Sequence, residues 1–149
     1  MADSLVDTNV LVYAADPRDR AKQTTAAELL ERLIALQAAV LSVQCLSEFY
    51  SVVTRRLRDP IAPREALEWV EQFAGACRVL DLTSAVALEG LRGGTRYELS
   101  PWDAHVWAIA KLDQVPYVLT EDAEHGRVLE GVRYLDPFDP SFDPLVVSA

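Results

Sequence analysis

Short apolar runs alternate with longer stretches of helical spacing along this chain, and that alternation is its strongest constraint on fold. Leu5-Val6-Asp7, Ala38 to Ser42, Arg78 to Leu82, Val115 to Thr120 and Val132 to Leu135 read as strands, each bounded by capping or turn residues. Between them lie the helical segments. Val10, Leu11 and Ala14 follow Thr8-Asn9, a helix-starting pair, and stop at Asp16-Pro17. Ala21 to Leu36 places Ala27, Leu30, Leu33 and Ile34 on one side, and a third helix opens at Ser42 or Val43 and runs to about Leu57. Arg64 to Ala76 is amphipathic, Thr83-Ser84 opens a helix expected to end near Gly93-Gly94, and Ser100-Pro101 begins the next. Strands separated by helices pair in parallel, with helices on both faces of the sheet. The expectation is one α/β domain over residues 1–135, a three-layer α/β/α sandwich around a central parallel sheet. Residues 136–149 form a tail that repeats Asp-Pro three times and is expected to lie extended on the surface.

Composition supports a packed domain. A chain of 149 residues, 50% of them hydrophobic, buries roughly 68–70% of its unfolded surface on folding. No apolar run approaches the roughly 20 residues of a membrane span, and Met1-Ala2-Asp3-Ser4 has no signal-like character. Cys45 and Cys77 sit in apolar helical patterns and read as buried thiols of a reducing, cytoplasmic protein. The formal charge of −9 counts against strong nonspecific nucleic-acid binding, which relies on a basic surface. It does not exclude a nuclease, and it suits a basic protein partner.

Four carboxylates stand out against this frame. Asp7 and Asp122 each follow the C-terminal end of a predicted strand, where open α/β sheets place their ligand crevice. Glu48 and Asp103 each interrupt the apolar side of a predicted helix. Each has an ordinary explanation: Asp7 as a helix cap, Asp122 as a turn residue, Glu48 as a solvated side chain. Asp103 completes a capping-box pattern, Ser100-Pro101-Trp102-Asp103. Their recurrence at one rim of the sheet is what those explanations leave out. Two carboxylates 4 Å apart repel by about 4 kcal/mol at an effective dielectric of 20, which a bound cation offsets. The residues therefore read as a metal-dependent enzyme, with Thr120 placed to hold a metal-bound water through its hydroxyl. All-carboxylate sites favour hard ions such as Mg2+ and Mn2+. Asp7 and Asp103 are the expected main ligands, with Glu48 holding or activating water.

Leu5-Val6-Asp7-Thr8-Asn9-Val10-Leu11 resembles the opening of the PIN domain found in VapC-type ribonuclease toxins. Ser42 to Val53, with Glu48-Phe49, is similar to its second acidic motif. Ser100-Pro101-Trp102-Asp103-Ala104 matches the third, and Thr120-Glu121-Asp122 with Gly126 the last; the likeness runs from about residue 3 to 135. The resemblance implies a sheet in the order 3-2-1-4-5 and cleavage of single-stranded or loop RNA with Mg2+ or Mn2+. It also implies a homodimer and neutralisation by a cognate antitoxin. Carried over, the metal-binding acids are Asp7, Glu48, Asp103 and Asp122, with Asn9 and Thr120 in support. Ala123-Glu124-His125-Gly126 stands where many family members have an aromatic residue after the last acid, so Glu121 competes with Asp122 for that place.

Other readings are weaker. An Asp-nucleophile phosphatase wants a second Asp where Asn9 stands, and a phosphoacceptor domain wants a Lys after the last strand, where Val132 to Pro137 has none. A catalytically silent PIN-like domain that only binds RNA or protein is the alternative. His105, on the polar side of its helix, and His125, in a loop, have no nucleophile nearby. Basic clusters at Arg18, Arg20 and Lys22 and at Arg55, Arg56 and Arg58 supply the candidate RNA contacts, chiefly Arg55, Arg56 and Lys22. Apolar helices around Leu29 to Leu36 and Val52 to Leu57 are the expected antitoxin surface.

Overall fold

The computed structural model describes residues 2–148. In chain order the elements are β1 (Ser4–Val6), α1 (Thr8–Ala15), α2 (Arg20–Ala35), β2 (Ala39–Ser42), α3 (Val43–Arg55), α4 (Pro63–Ala76) and β3 (Arg78–Leu80). There follow α5 (Ser84–Tyr97), α6 (Pro101–Leu112), β4 (Tyr117–Leu119), β5 (Val128–Leu129), β6 (Val132–Leu135) and α7 (Leu145–Ser148). The strands form one sheet in the order β3-β2-β1-β4-β6-β5.

β1 lies inside the sheet, parallel to β2 with Leu5 opposite Val40, and parallel to β4 with Leu5 opposite Val118. Every residue of β1 and β2 is buried, as parallel strands covered on both faces must be. The chain lays β2 and β3 to one side of β1, then returns to place β4 and β6 on the other. The order reverses at β1, so a crevice opens beyond the C-terminal ends of β1 and β4. Asp7 is the first residue past β1, and Thr120 to Asp122 follow β4.

The expected order 3-2-1-4-5 holds when its fifth strand is taken as β6. The sheet is mostly rather than wholly parallel, because β5 pairs antiparallel with β6. A two-residue turn makes that hairpin: Glu130 (φ 48°) and Gly131 (φ 88°) both take the left-handed conformation, the pattern of a type I′ turn.

α5 does not stop at Gly93-Gly94. It continues to Tyr97 and ends at Glu98, itself left-handed with φ 57°. The glycines instead let α6 approach: a Cβ on Gly93 would stand 2.0 Å from Cζ3 of Trp107. Trp107 is fully buried there, and its Nε1 donates to the Leu129 carbonyl at 3.1 Å.

The tail is not extended. Asp136, Asp139 and Asp143 each accept the backbone N–H two residues on, from Phe138, Ser141 and Leu145, so the Asp-Pro repeats fold as Asx turns. These turns bring apolar side chains back onto the domain. Phe138 packs edge-on against Tyr13 with ring centres 5.0 Å apart, and Val147 of α7 is buried. Cys45 is buried in α3, whereas Cys77 is half-buried at the end of α4; both are free thiols.

Candidate functional site

Asp7 begins the site. It caps α1 itself, with Thr8 as the first helical residue: its Oδ1 accepts the Thr8 N–H at 2.8 Å. Its Oδ2 accepts the Thr120 hydroxyl at 2.9 Å. The Thr120 oxygen in turn accepts from Asn9 Nδ2 at 2.9 Å and from the Asp122 N–H at 3.1 Å. One proton and two lone pairs exhaust a hydroxyl, so Thr120 orients Asp7 rather than holding a water. Asn9 joins the two strand ends: its Nδ2 also donates to Asp122 Oδ2 at 3.0 Å, and its Oδ1 accepts the Glu121 N–H at 3.3 Å.

Asp122 and Glu121, adjacent in sequence, serve different places. Asp122 lines the crevice with Asp7 and Asp103. Glu121 is engaged elsewhere, accepting from Lys22 Nζ and from the Tyr13 hydroxyl, each at 2.8 Å. That pairing sets Glu121 apart from the crevice and holds the Lys22 ammonium against Glu121 and Tyr13.

Asp103 lies in the first turn of α6, where its N–H donates to the Ser100 hydroxyl at 3.2 Å. Only this half of the capping box forms. The carboxylate is exposed at the helix start rather than sunk in the apolar face, and it takes no hydrogen bond among the described residues. The crevice of about 130 Å3 is lined by Asp7, Asp103, Thr120 and Asp122, with Glu124, Arg127 and Tyr134 among the remaining residues. Glu48 stands next door. It accepts from the Thr8 hydroxyl at 3.0 Å and from Gln44 Nε2 at 2.8 Å. Its groove, about 470 Å3, is lined also by Ser47, Ser51, Arg56 and Trp102. Arg55 and Arg56 are exposed near the end of α3.

The electrostatics follow from this geometry. Burial pushes the Asp7 carboxyl up to about 6, Asp122 and Asp103 push the same way, and the bonds from Thr8 and Thr120 oppose them. Cys45, with Sγ 3.8 Å from Asp7 Oδ1, is pushed up to about 12, mainly by burial and next by Asp7. The ion pairs among the described residues involve Asp3, Asp16, Glu89, Asp113, Glu121 and Glu130. Asp7, Asp103 and Asp122 have no such partner among the described residues.

A divalent ion fits this donor set by charge and chemistry. Among the described residues no three acids, imidazoles or thiols converge as a ready-made cage. Mg2+ keeps several waters and binds through one or two carboxylates, so a crevice whose three aspartates form no ion pair among the described residues suits it.

Tyr134 and Arg127 line the crevice without having been singled out from the sequence. Tyr134 is buried and its hydroxyl has no partner among the described residues; an unpaired buried hydroxyl costs about 1–3 kcal/mol. The strand pattern places Tyr134 in β6, but only the three-dimensional pairing puts it beside the acids. The histidines lie outside the crevice. His125 in its loop accepts the Asp136 N–H at 3.0 Å. His105 is not on a free polar face: it is half-buried beside Gly90, whose missing side chain leaves it room, and its Nδ1 is buried without a partner among the described residues.

A sequence model of the PIN domain matches residues 4–130. The chain belongs to the PIN-domain family. This PIN domain shares its fold with solved VapC proteins. Mycobacterium tuberculosis VapC20, described as a sarcin-ricin loop cleaving toxin, is 20% identical with a TM-score of 0.61 over 78% of this chain and 87% of that one. The DNA-bound VapBC of Salmonella typhimurium gives 20% identity and 0.64 over 92% and 99%. A toxin–antitoxin complex from Klebsiella pneumoniae gives 16% and 0.63 over the same shares, 92% and 99%. No curated protein matches the chain by sequence.

Proposed function

We propose that this PIN domain is a metal-dependent endoribonuclease, the toxin of a toxin–antitoxin pair, cutting single-stranded or loop RNA. One observation carries the reading: Asp7, Asp103 and Asp122 face one crevice at the sheet's reversal point and form no ion pair among the described residues. Mg2+ or Mn2+ held by these acids would supply the charge that activates water and offsets the phosphate. Asp7 is the central ligand, oriented by Thr120, and Asn9 ties Asp122 to the same position. Glu48, fixed by Gln44 and Thr8, is the base that holds water beside the crevice. Arg55 and Arg56 are the RNA contacts, Arg56 and Trp102 lining the groove that contains Glu48.

The partners belong to the same reading. An antitoxin fits the groove between α2 and the tail, whose lining includes Glu28, Glu31, Leu29 and Phe142 and suits a basic, partly apolar segment. Leu88 and Leu91, exposed on α5, favour a second copy of the chain as a neighbour. Among the described residues no helix is long and apolar enough to cross a membrane, and a toxin acting on RNA works in the cytoplasm.

The test is cleavage of a mixed pool of structured RNAs by partner-free protein in Mg2+, Mn2+ or EDTA, beside Asp7→Asn. Cutting that needs the ion and disappears in the folded variant supports the reading. Full activity of Asp7→Asn, or no cutting with either ion, would overturn it and leave a silent RNA- or protein-binding domain.

A further inference from the structure

The acids of the crevice can only accept, yet an RNA phosphate entering it brings oxygens that must be met by donors. Thr120 cannot serve, since its proton is committed to Asp7. Among the side chains lining the crevice, Tyr134 and Arg127 remain as donors. Tyr134 is 6% exposed, and its hydroxyl is buried with no partner among the described residues. Arg127 is exposed and pairs with no carboxylate among the described residues. The two are held together across the hairpin, because the Tyr134 N–H donates to the Arg127 carbonyl at 2.8 Å.

We propose that Tyr134 and Arg127 form the phosphate-binding pair of this crevice, the tyrosine hydroxyl and the guanidinium donating to non-bridging oxygens of the scissile phosphodiester. This deepens the ribonuclease reading and rests on it. The hydroxyl stays protonated and able to donate: burial raises its ionisation well above the ordinary tyrosine value, Asp103 adds to that, and Arg127 only partly opposes it. Arg127, at the exposed mouth, contributes to capture as well as alignment, because a guanidinium matches two phosphate oxygens at once. The division of labour is therefore unequal. Tyr134, inside, acts on the reacting phosphate; Arg127, outside, acts mostly on binding. Tyr134 lies in β6 and Arg127 just before β5, so the antiparallel β5–β6 addition to the sheet gains a use at the site.

The experiment compares the parent with Tyr134→Phe, Arg127→Gln and Arg127→Lys in two assays. One follows kcat and KM on a cleavable RNA with Mg2+ or Mn2+. The other follows binding of an RNA oligonucleotide in EDTA, where the proposed reaction lacks its ion, by fluorescence anisotropy over a range of NaCl. Tyr134→Phe is expected to lower kcat about a hundredfold with KM little changed, while its melting temperature stays level or rises, because the lost hydroxyl bonds to nothing in the fold. Arg127→Gln is expected to weaken oligonucleotide binding about tenfold and to flatten the salt slope by about one, with Arg127→Lys restoring the slope but only part of the affinity. Parent-like kcat in Tyr134→Phe overturns the tyrosine's role, and parent-like binding and slope in Arg127→Gln overturn the arginine's. If the parent binds but does not cut, the ribonuclease reading and the tyrosine's role in kcat fail together, and weaker binding by Arg127→Gln still supports the arginine's. If all chains bind alike and none cuts, both fail.

Discussion

Asp7 carries its carboxylate where burial opposes the charge, and that opposition has a measurable sign. Its folded-state pKa of about 6 lies above the ordinary 3.8, so folding favours the protonated acid. The stability this group contributes is complete below its ordinary value and is lost as pH rises through about 6. The full effect is about 3 kcal/mol. In EDTA, the melting temperature of the parent relative to Asp7→Asn should therefore rise as pH is lowered from about 8 to about 5; a constant difference would contradict the burial argument. Thr120→Val removes the bond that orients the same carboxylate and should cost about 1.5–3 kcal/mol in chemical denaturation, with cleavage falling too, whereas Thr120→Ser keeps both. At this scale the sequence was partly legible. Asp7 and Asp122 announce themselves by following strands, and Asp103 by opening a helix. The bonds of Thr120 and the withdrawal of Glu121 and Lys22 did not, because they join side chains roughly a hundred residues apart.

Between elements, the α5–α6 contact sets where Asp103 stands. Gly93 is the position at which α5 accepts Trp107, and nothing larger fits. Gly93→Ala should destabilise the fold by about 3 kcal/mol. Gly75→Ala, in α4 with nothing within 4 Å of the added Cβ, should stabilise it by about 1 kcal/mol, the helix-propensity difference. Denaturation midpoints moving in the same direction would refute this reading of the two glycines. The pair also shows where local reading fails. Gly93-Gly94 has the composition of a helix end, yet tertiary packing demands the missing side chains in mid-helix. The alternating strands and helices were legible because each carries its own apolar period. The β5–β6 turn was not, because Glu130-Gly131 lacks the Asn-Gly or Asp-Gly signature that marks such turns.

Over the whole molecule, the closing segment is part of the packing rather than an appendage. Phe138 on Tyr13, Phe142 on His125 and buried Val147 connect it to the body of the domain. Tyr13 in turn bonds to Glu121, next to Asp122. Truncation after Leu135 should lower the melting temperature and expose apolar surface to a hydrophobic dye; an unchanged melting curve would count against that role. The net charge of −9 limits how many phosphates the surface can hold. The salt slope of RNA binding should correspond to about two or three phosphate contacts, through Arg55, Arg56 and Arg127, rather than the larger number of a basic nucleic-acid binder. The three tryptophans give this molecule a built-in optical reporter. Trp107 is fully enclosed, Trp69 is half-buried against Phe73, and Trp102 is 62% exposed beside Glu48. The long-wavelength part of the intrinsic emission therefore belongs to Trp102, and whatever fills the groove announces itself by a blue shift or quenching of that component, without any label.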